Sequence, residues 1–246
     1  MERLVIIPTY NEKENIEAII RAVFALPIPF HVLVIDDGSP DGTAGLVKNM
    51  MATDEGKGRL FIVERSGKLG LGTAYICGFK WAIEHQYDFI FEMDADFSHN
   101  PNDLVKLYEA LDNGADVVIG SRYVTGVNVV NWPMGRVLMS YFASKYVRTV
   151  LGVNIHDTTA GFVGYRRQVL ETMELDKIRF KGYAFQIEMK FTAVKCGFKV
   201  VEVPIIFVNR VLGTSKMSGG IFSEALFGVV KLKMSSWTRK YPQKKA

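Results

Sequence analysis

The chain has 246 residues, a formal net charge of +4 and 48% apolar side chains, enough for one large α/β domain or two small ones with a substantial core. Two cysteines, Cys77 and Cys196, stand far apart in apolar surroundings; this excludes a disulfide framework or a zinc cluster and points to a reducing compartment. No stretch reaches the ~20 apolar residues that cross a bilayer, and the N-terminus runs straight into RLVIIP, so neither a span nor a signal peptide is expected.

Strand-like runs rich in β-branched and aromatic residues recur at 4–8, 31–36, 60–63, 89–93 and 117–120. Helical patterns lie between them. Asn11 and Glu14 have capping-box spacing for a helix to Ala25, and 42–54, 70–86 and 101–113 follow, the last with Pro101 in its first turn. This alternation predicts a Rossmann-like, mostly parallel central sheet with helices on both faces. Ligands bind such sheets beyond the carboxyl ends of the strands. The segment PTYNE (8–12), the pair Asp36-Asp37 and the triplet Asp94-Ala95-Asp96 all fall at those ends.

Past Arg122 the pattern changes. Met134, Val137, Leu138, Tyr141, Phe142, Tyr146 and Val150 keep helical spacing, broken by Arg136, Lys145 and Arg148. A second such helix carries Phe222, Leu226, Val229 and Val230 on one face, after a short turn at 218–220. From Lys231 onward there are six basic residues and no acid, with Trp237 and Tyr241 among them. Segments 132–151 and 218–237 therefore read as amphipathic helices of a membrane interface, with a basic tail facing anionic lipid. Packing on the sheet is the competing reading for each helix. There is no repeat and no interdomain linker, so the whole of 1–246 is expected to be one domain.

Carboxylates crowded into one crevice raise one another's pKa unless a cation is present. A hard divalent metal bound to a phosphate ester resolves that conflict. In an extended Asp94-Ala95-Asp96 both carboxylates point the same way, and after FIFEM a metal role outweighs a solvated turn. Asp41-Gly42 supplies turn chemistry, which leaves Asp37 for a ligand. Pro8, Tyr10 and Glu12 offer a bend, an aromatic face and a carboxylate for a base or ribose, with Asn11 as a helix cap. Gly70-Leu71-Gly72 is a bend at helix entry, since no G-x-G-x-x-G follows the first strand and no P-loop is present. Arg136 and Ser140 share a helical face, and guanidinium groups suit phosphate. Of His31, His85, His99 and His156, only His99 lies near the acidic triplet.

The motifs PTYNE, DDGSPDGT, MDADFSHNP, GSRY, NWP and TTAGFVGYRR, with Arg210 ahead of Ser215-Lys216, closely resemble the dolichyl-phosphate mannosyltransferases, inverting family-2 glycosyltransferases of GT-A fold. The resemblance covers nearly the whole chain. It implies transfer of mannose from GDP-mannose to a dolichyl or other polyprenyl phosphate, at the cytoplasmic face of a membrane. It implies a nucleotide pocket of Pro8, Tyr10, Glu12, Ile35 and Asp37, with Asp94, Ala95 and Asp96 holding Mg2+ or Mn2+ and the diphosphate. Ser98 stands where some relatives have a glutamine metal ligand. Arg210 and Lys216 match loop cations over the donor, and Arg122, Arg136 and Ser140 match acceptor-phosphate contacts, so Asp96, Arg122 and Arg136 carry the reaction. Relatives that glycosylate hydroxyls place an Asp base in an ED motif and carry Q-x-x-R-W; here that region is Phe185-Gln186-Ile187-Glu188-Met189 and Q-x-x-R-W is absent. An anionic lipid phosphate needs no base, only cations to hold it. The resemblance is to the compact form, which meets the membrane through interfacial helices or a small partner subunit. No nucleic-acid partner is expected. Two alternatives stay open: a UDP-sugar donor such as UDP-glucose, and a catalytically idle nucleotide-sugar-binding membrane protein.

Overall fold

The computed structural model describes residues 1–182, 184–210 and 221–245, with side chains left aside at 221–226. Strands β1 (Arg3–Thr9), β2 (His31–Asp36), β3 (Leu60–Glu64), β4 (Phe89–Glu92) and β5 (Val117–Ser121) alternate with helices α1 (Ile16–Phe24), α2 (Thr43–Met51), α3 (Leu71–Glu84) and α4 (Asp103–Asp112). A two-residue β6 (Val129–Val130) precedes α5 (Met134–Leu151). Then come β7 (Val163–Arg166), α6 (Arg167–Thr172), α7 (Ala184–Lys195), β8 (Val200–Pro204), β9 (Phe207–Val208) and α8 (Ile221–Ser235).

The main sheet runs β3-β2-β1-β4-β7-β5-β8. All its pairings are parallel except those of β7, which lies antiparallel between β4 and β5. Gly164 permits this insertion, because a Cβ there would stand 2.7 Å from the Phe91 ring. β1 pairs with β2 on one side and β4 on the other, so the chain order reverses there. That is the topological switch point where open α/β sheets bind ligands.

The strands are buried on both faces, as parallel strands must be. One core joins Val5, Ile7, Val32 and Val34 to α1, α2 and α4. The other joins Leu4, Ile6, Leu33 and Ile35 to α3, α7 and the end of α5.

One local expectation is corrected. Asn11 does not cap α1: it sits at φ 56°, and the helix starts at Ile16 after Asn15, whose amide donates to Glu12 Oε2 at 3.0 Å. The side chain of Asn11 therefore never reaches the first helical N–H groups.

The apolar stripe of α5 is split. Val147 and Leu151 enter the core, while Met134, Leu138, Met139 and Phe142 are exposed.

The basic tail does not stand free. Lys244 Nζ contacts Asp116 at 2.8 Å, Arg239 Nη1 lies 3.5 Å from Glu188, and the Lys244 N–H donates to the Cys196 carbonyl. Acids elsewhere in the fold, invisible in the tail's own sequence, draw it onto the end of α7. The turn at 218–220 lies outside the described residues.

Candidate active site

The crevice is built from the ends of β1, β2, β4 and β5. Beyond β2, Asp36 is a turn builder. Its carboxylate accepts from Thr9 Oγ1 at 2.8 Å, from Ser39 Oγ at 2.6 Å and from the Ser39 N–H at 2.9 Å. Gly42, at φ 90°, lets the chain turn into α2. Asp41, just before the Gly42 cap, accepts from the N–H and hydroxyl of Thr43 at the start of that helix. Burial raises its carboxyl, and these bonds together with the Lys13 N–H more than offset that and hold it below the ordinary value.

Asp37 is left at the rim. Its Oδ1 accepts a hydrogen bond from Arg65 Nε at 2.7 Å, and Arg65 Nη2 stands 2.6 Å away as an ion-pair contact. Arg65 is anchored in turn on Thr73 Oγ1 at 2.8 Å. Sequence reasoning missed Arg65, because a lone arginine after the third strand carries no periodic signal. Across the mouth, Lys68 Nζ lies 5.4 Å from the centre of the Tyr10 ring. Glu12 is buried, with its N–H on Thr43 Oγ1. Pro8 pairs with Ile35 in register. The Ile35 side chain is wholly in the core, so only its backbone faces a ligand.

Beyond β4 the acidic triplet is drawn inward. Ala95 and Asp96 are buried. Burial, together with Asp96 and Glu12, pushes the Asp94 carboxyl up to about 7, against the pull of Arg210 and Arg122. Three segments distant in sequence therefore converge on one carboxylate. Asp96 Oδ2 is 2.7 Å from Arg210 Nη2, and its Oδ1 accepts the Ser98 N–H at 3.0 Å. Between them Phe97 occupies the left-handed region at φ 58°. The Asp94 N–H donates to His99 Nδ1 at 3.4 Å, and the imidazole stacks on Phe162 with centroids 4.9 Å apart. Burial lowers its pKa to about 4, so it is a neutral acceptor that fixes the Asp94 backbone.

Asp94 and Asp96 fit a hard divalent cation as donors, and Ser98 Oγ is buried without a hydrogen-bond partner among the described residues. No cluster of three or more His, Cys, Asp or Glu side chains suited to a metal occurs among the described residues. Two carboxylates make up part of a coordination shell, as for magnesium held by one or two carboxylates and substrate phosphates.

Beyond β5, Arg122 is buried in a bidentate pair with Asp157: Nε to Oδ2 at 2.7 Å and Nη2 to Oδ1 at 2.6 Å. Asp157 was not foreseen. Arg122 and Arg136 flank one indole, that of Trp132, at 5.6 Å and 3.9 Å from ring centre to guanidinium carbon. Ser140 lies against Tyr123, whose ring lies 5.2 Å from Arg122. Arg122, Arg136 and Ser140 thus gather around Trp132 and Tyr123, beside the acidic triplet. Arg136 Nη1 also reaches Asn209 Oδ1 at 3.2 Å, next to Arg210. Lys216 lies outside the described residues.

Glu188, in the region where hydroxyl-specific relatives keep a base, is turned away from this crevice. Its Oε2 accepts the N–H groups of Arg179 and Phe180 at 2.8 and 3.0 Å. Under the floor lies a further polar cluster. Glu92 accepts from Tyr165 Oη at 3.2 Å and from Gln186 Nε2, and Lys190 Nζ donates to the Ala160 carbonyl at 2.6 Å.

The chain is similar to known proteins along most of its length. The polyprenol monophosphomannose synthase of Mycolicibacterium smegmatis is 50% identical over 228 residues, covering 93% of this chain and 85% of the relative. The undecaprenyl-phosphate mannosyltransferase of Micrococcus luteus is 46% identical over 231 residues, covering 94% and 93%. Among solved structures, glucosyl-3-phosphoglycerate synthase of Mycobacterium tuberculosis, in complex with Mn2+, UDP and glucosyl-3-phosphoglycerate, matches with a TM-score of 0.69. That match covers 95% of this chain and 80% of the other. At 17% identity it bears on the fold alone, which is GT-A. Residues 4–173 match the family described as Glycosyl transferase family 2, and with relatives this similar along almost its whole length the chain belongs to that family.

Proposed function

We propose that this protein transfers mannose, with inversion, from GDP-mannose to a polyprenyl phosphate at the cytoplasmic face of a membrane. The observation that carries the reading is the shared rim: Asp94 feels both Arg210 and Arg122, so an acidic donor site and a cationic acceptor site adjoin. The two mannosyltransferase relatives support the sugar and the acceptor class.

In this reading Tyr10, Glu12 and Asp37 receive the nucleoside, together with Pro8 and the Ile35 backbone. Asp94 and Asp96 hold Mg2+ or Mn2+, with Ser98 Oγ beside them. When bound, the metal neutralises charge that develops on the leaving diphosphate. Arg210 and Lys216 add cations to the same oxygens. Arg122, Arg136 and Ser140 orient the lipid phosphate so that one oxygen attacks the anomeric carbon from behind. That C–O bond forms as the bond to the diphosphate breaks, and its electron pair leaves with the diphosphate. The nucleophile is already anionic, so no side chain has to remove a proton.

The exposed apolar side chains of α5 and α8 rest on lipid in this scheme, with or without a small membrane subunit. No helix among the described residues is long and apolar enough to cross a membrane.

The test is transfer by the purified protein to a short polyprenyl phosphate, with GDP-mannose against UDP-glucose and Mn2+ against EDTA. Lipid-linked mannose formed from GDP-mannose with metal supports the reading. Transfer from UDP-glucose instead, or nucleotide binding with no lipid-linked sugar from any donor, overturns it.

A further inference from the structure

We infer that Asp157 is a positioning residue for the acceptor: it fixes the plane of the Arg122 guanidinium so that the lipid phosphate meets it in one orientation. The inference rests on the acceptor role proposed for Arg122. Asp157 is fully buried, at the centre of the loop His156-Asp157-Thr158-Thr159-Ala160. Other elements pin that loop at both ends. On one side Glu202 of β8 accepts the His156 N–H at 2.7 Å and the Asp157 N–H at 2.9 Å. On the other, Lys190 of α7 holds the Ala160 carbonyl. The carboxylate so fixed takes the Arg122 backbone N–H at 2.9 Å as well as Nε and Nη2, and Thr159 Oγ1 accepts from Nη2 at 2.8 Å.

An arginine side chain is long and flexible, and this arrangement leaves it one orientation. Burial alone would push the Asp157 carboxyl up; the Arg122 charge and N–H donors more than offset this and hold it below the ordinary value. The carboxylate stays ionised and accepts without donating. A buried ion pair gains little stability over apolar packing, so fold stability does not account for this convergence of donors. Orientation of a planar, fork-shaped cation toward a phosphate does.

The experiment is steady-state kinetics with acceptor and donor varied separately, on Asp157→Asn, Arg122→Gln and the double variant. Asp157→Asn should impair acceptor kcat/KM by about 10- to 100-fold, the cost of a misplaced reacting group. The GDP-mannose KM should stay within about twofold, and the shape of the pH–rate profile should not change. The double variant should be no worse than Arg122→Gln alone, because residues acting as a unit are not additive. Multiplying effects, equal losses on donor and acceptor, or loss of the acidic limb of the profile (the mark of a general base) would overturn the inference. Wild-type acceptor kinetics in Arg122→Gln would sink the acceptor reading of Arg122 instead. An acceptor defect in Arg122→Gln without one in Asp157→Asn sinks the positioning role alone. Should Asp157→Asn fail to fold, Glu202→Gln loosens the same loop and keeps the carboxylate. It should show a smaller acceptor-selective loss, and its absence refutes the role.

Discussion

Arg210 Nη2 stands 2.7 Å from Asp96 Oδ2, so a protein cation already sits on the second carboxylate of the acidic triplet. A divalent ion arriving at that oxygen has to share it or displace the guanidinium. Arg210→Ala is therefore expected to tighten binding of Mn2+ alone by up to about fivefold, the size of a partly exposed ion pair. The same change should weaken GDP-mannose, which loses a cation over its diphosphate. Paramagnetic titration of Mn2+ with and without nucleotide checks both signs. Unchanged Mn2+ affinity would separate Arg210 from the metal site.

Asp96→Ala should lower transfer by about 100- to 1,000-fold, the usual cost of losing a group that stabilises leaving-group charge. The fold should survive it. The variant removes one of two like charges that strain Asp94, and Arg210 is exposed enough to be solvated. A melting curve beside the transfer assay tests this; lost activity with a lowered melting temperature would mark Asp96 as structural.

Glu92 gives a pH signature. Burial pushes its carboxyl up to about 8, against hydrogen bonds from Gln186 and Tyr165 and the charge of Lys190. A carboxyl raised in the folded state favours folding fully below its unfolded value of 4.5, and this is lost as pH rises through about 8. Asp94, raised to about 7, acts with the same sign. The metal-free protein should therefore lose stability between pH 5 and 8, and Glu92→Gln should flatten part of that slope. Denaturant melts across that range decide it; an equal slope in the variant means the carboxyl ionises normally.

Much of this was legible because strand burial writes itself into composition. The runs at 31–36 and 60–63 became β2 and β3 within a residue, and the acidic clusters fell at strand ends as alternation requires. β7 was not legible: a four-residue strand holding Gly164 has no periodicity of its own, and only the fit against Phe91 makes it a strand. The site divides likewise. Asp94 and Asp96 were visible as a triplet after an apolar run. Arg65, Asp157 and Glu202 are single charges whose meaning comes from partners 28, 35 and 45 residues away.

Glu188 tests the absence of a general base. It is buried, and its oxygens serve the 179–180 backbone and Arg239. Glu188→Gln should cost about 1–3 kcal/mol of stability, the penalty for weakening buried hydrogen bonds. It should leave the pH–rate profile unchanged in shape. A flattened acidic limb would identify Glu188 as a proton acceptor and refute the phosphate-nucleophile scheme.

α5 and α8 are fastened together where Lys233 Nζ donates to the Leu151 carbonyl at 3.1 Å. Side by side, they and the turn after α8 expose Met134 at 70%, Phe142 at 57%, Phe227 at 74% and Trp237 at 75%. Arg239 and Lys244 are meanwhile paired with acids of the domain. Apolar contact, not a free polybasic brush, should therefore dominate vesicle binding. Phe142→Ser and Trp237→Ser are each expected to weaken binding by about tenfold or more, since burying such a side chain contributes ~1.5–3 kcal/mol. Raising the ionic strength should weaken it less. Activity on a short, water-soluble acceptor should stay near wild type in both variants, because neither residue is one of those that hold donor or acceptor in the proposed scheme. Flotation with neutral and anionic vesicles separates the terms: binding that salt abolishes and these substitutions spare would mean charge alone brings the protein to lipid, and that α5 and α8 cover something else.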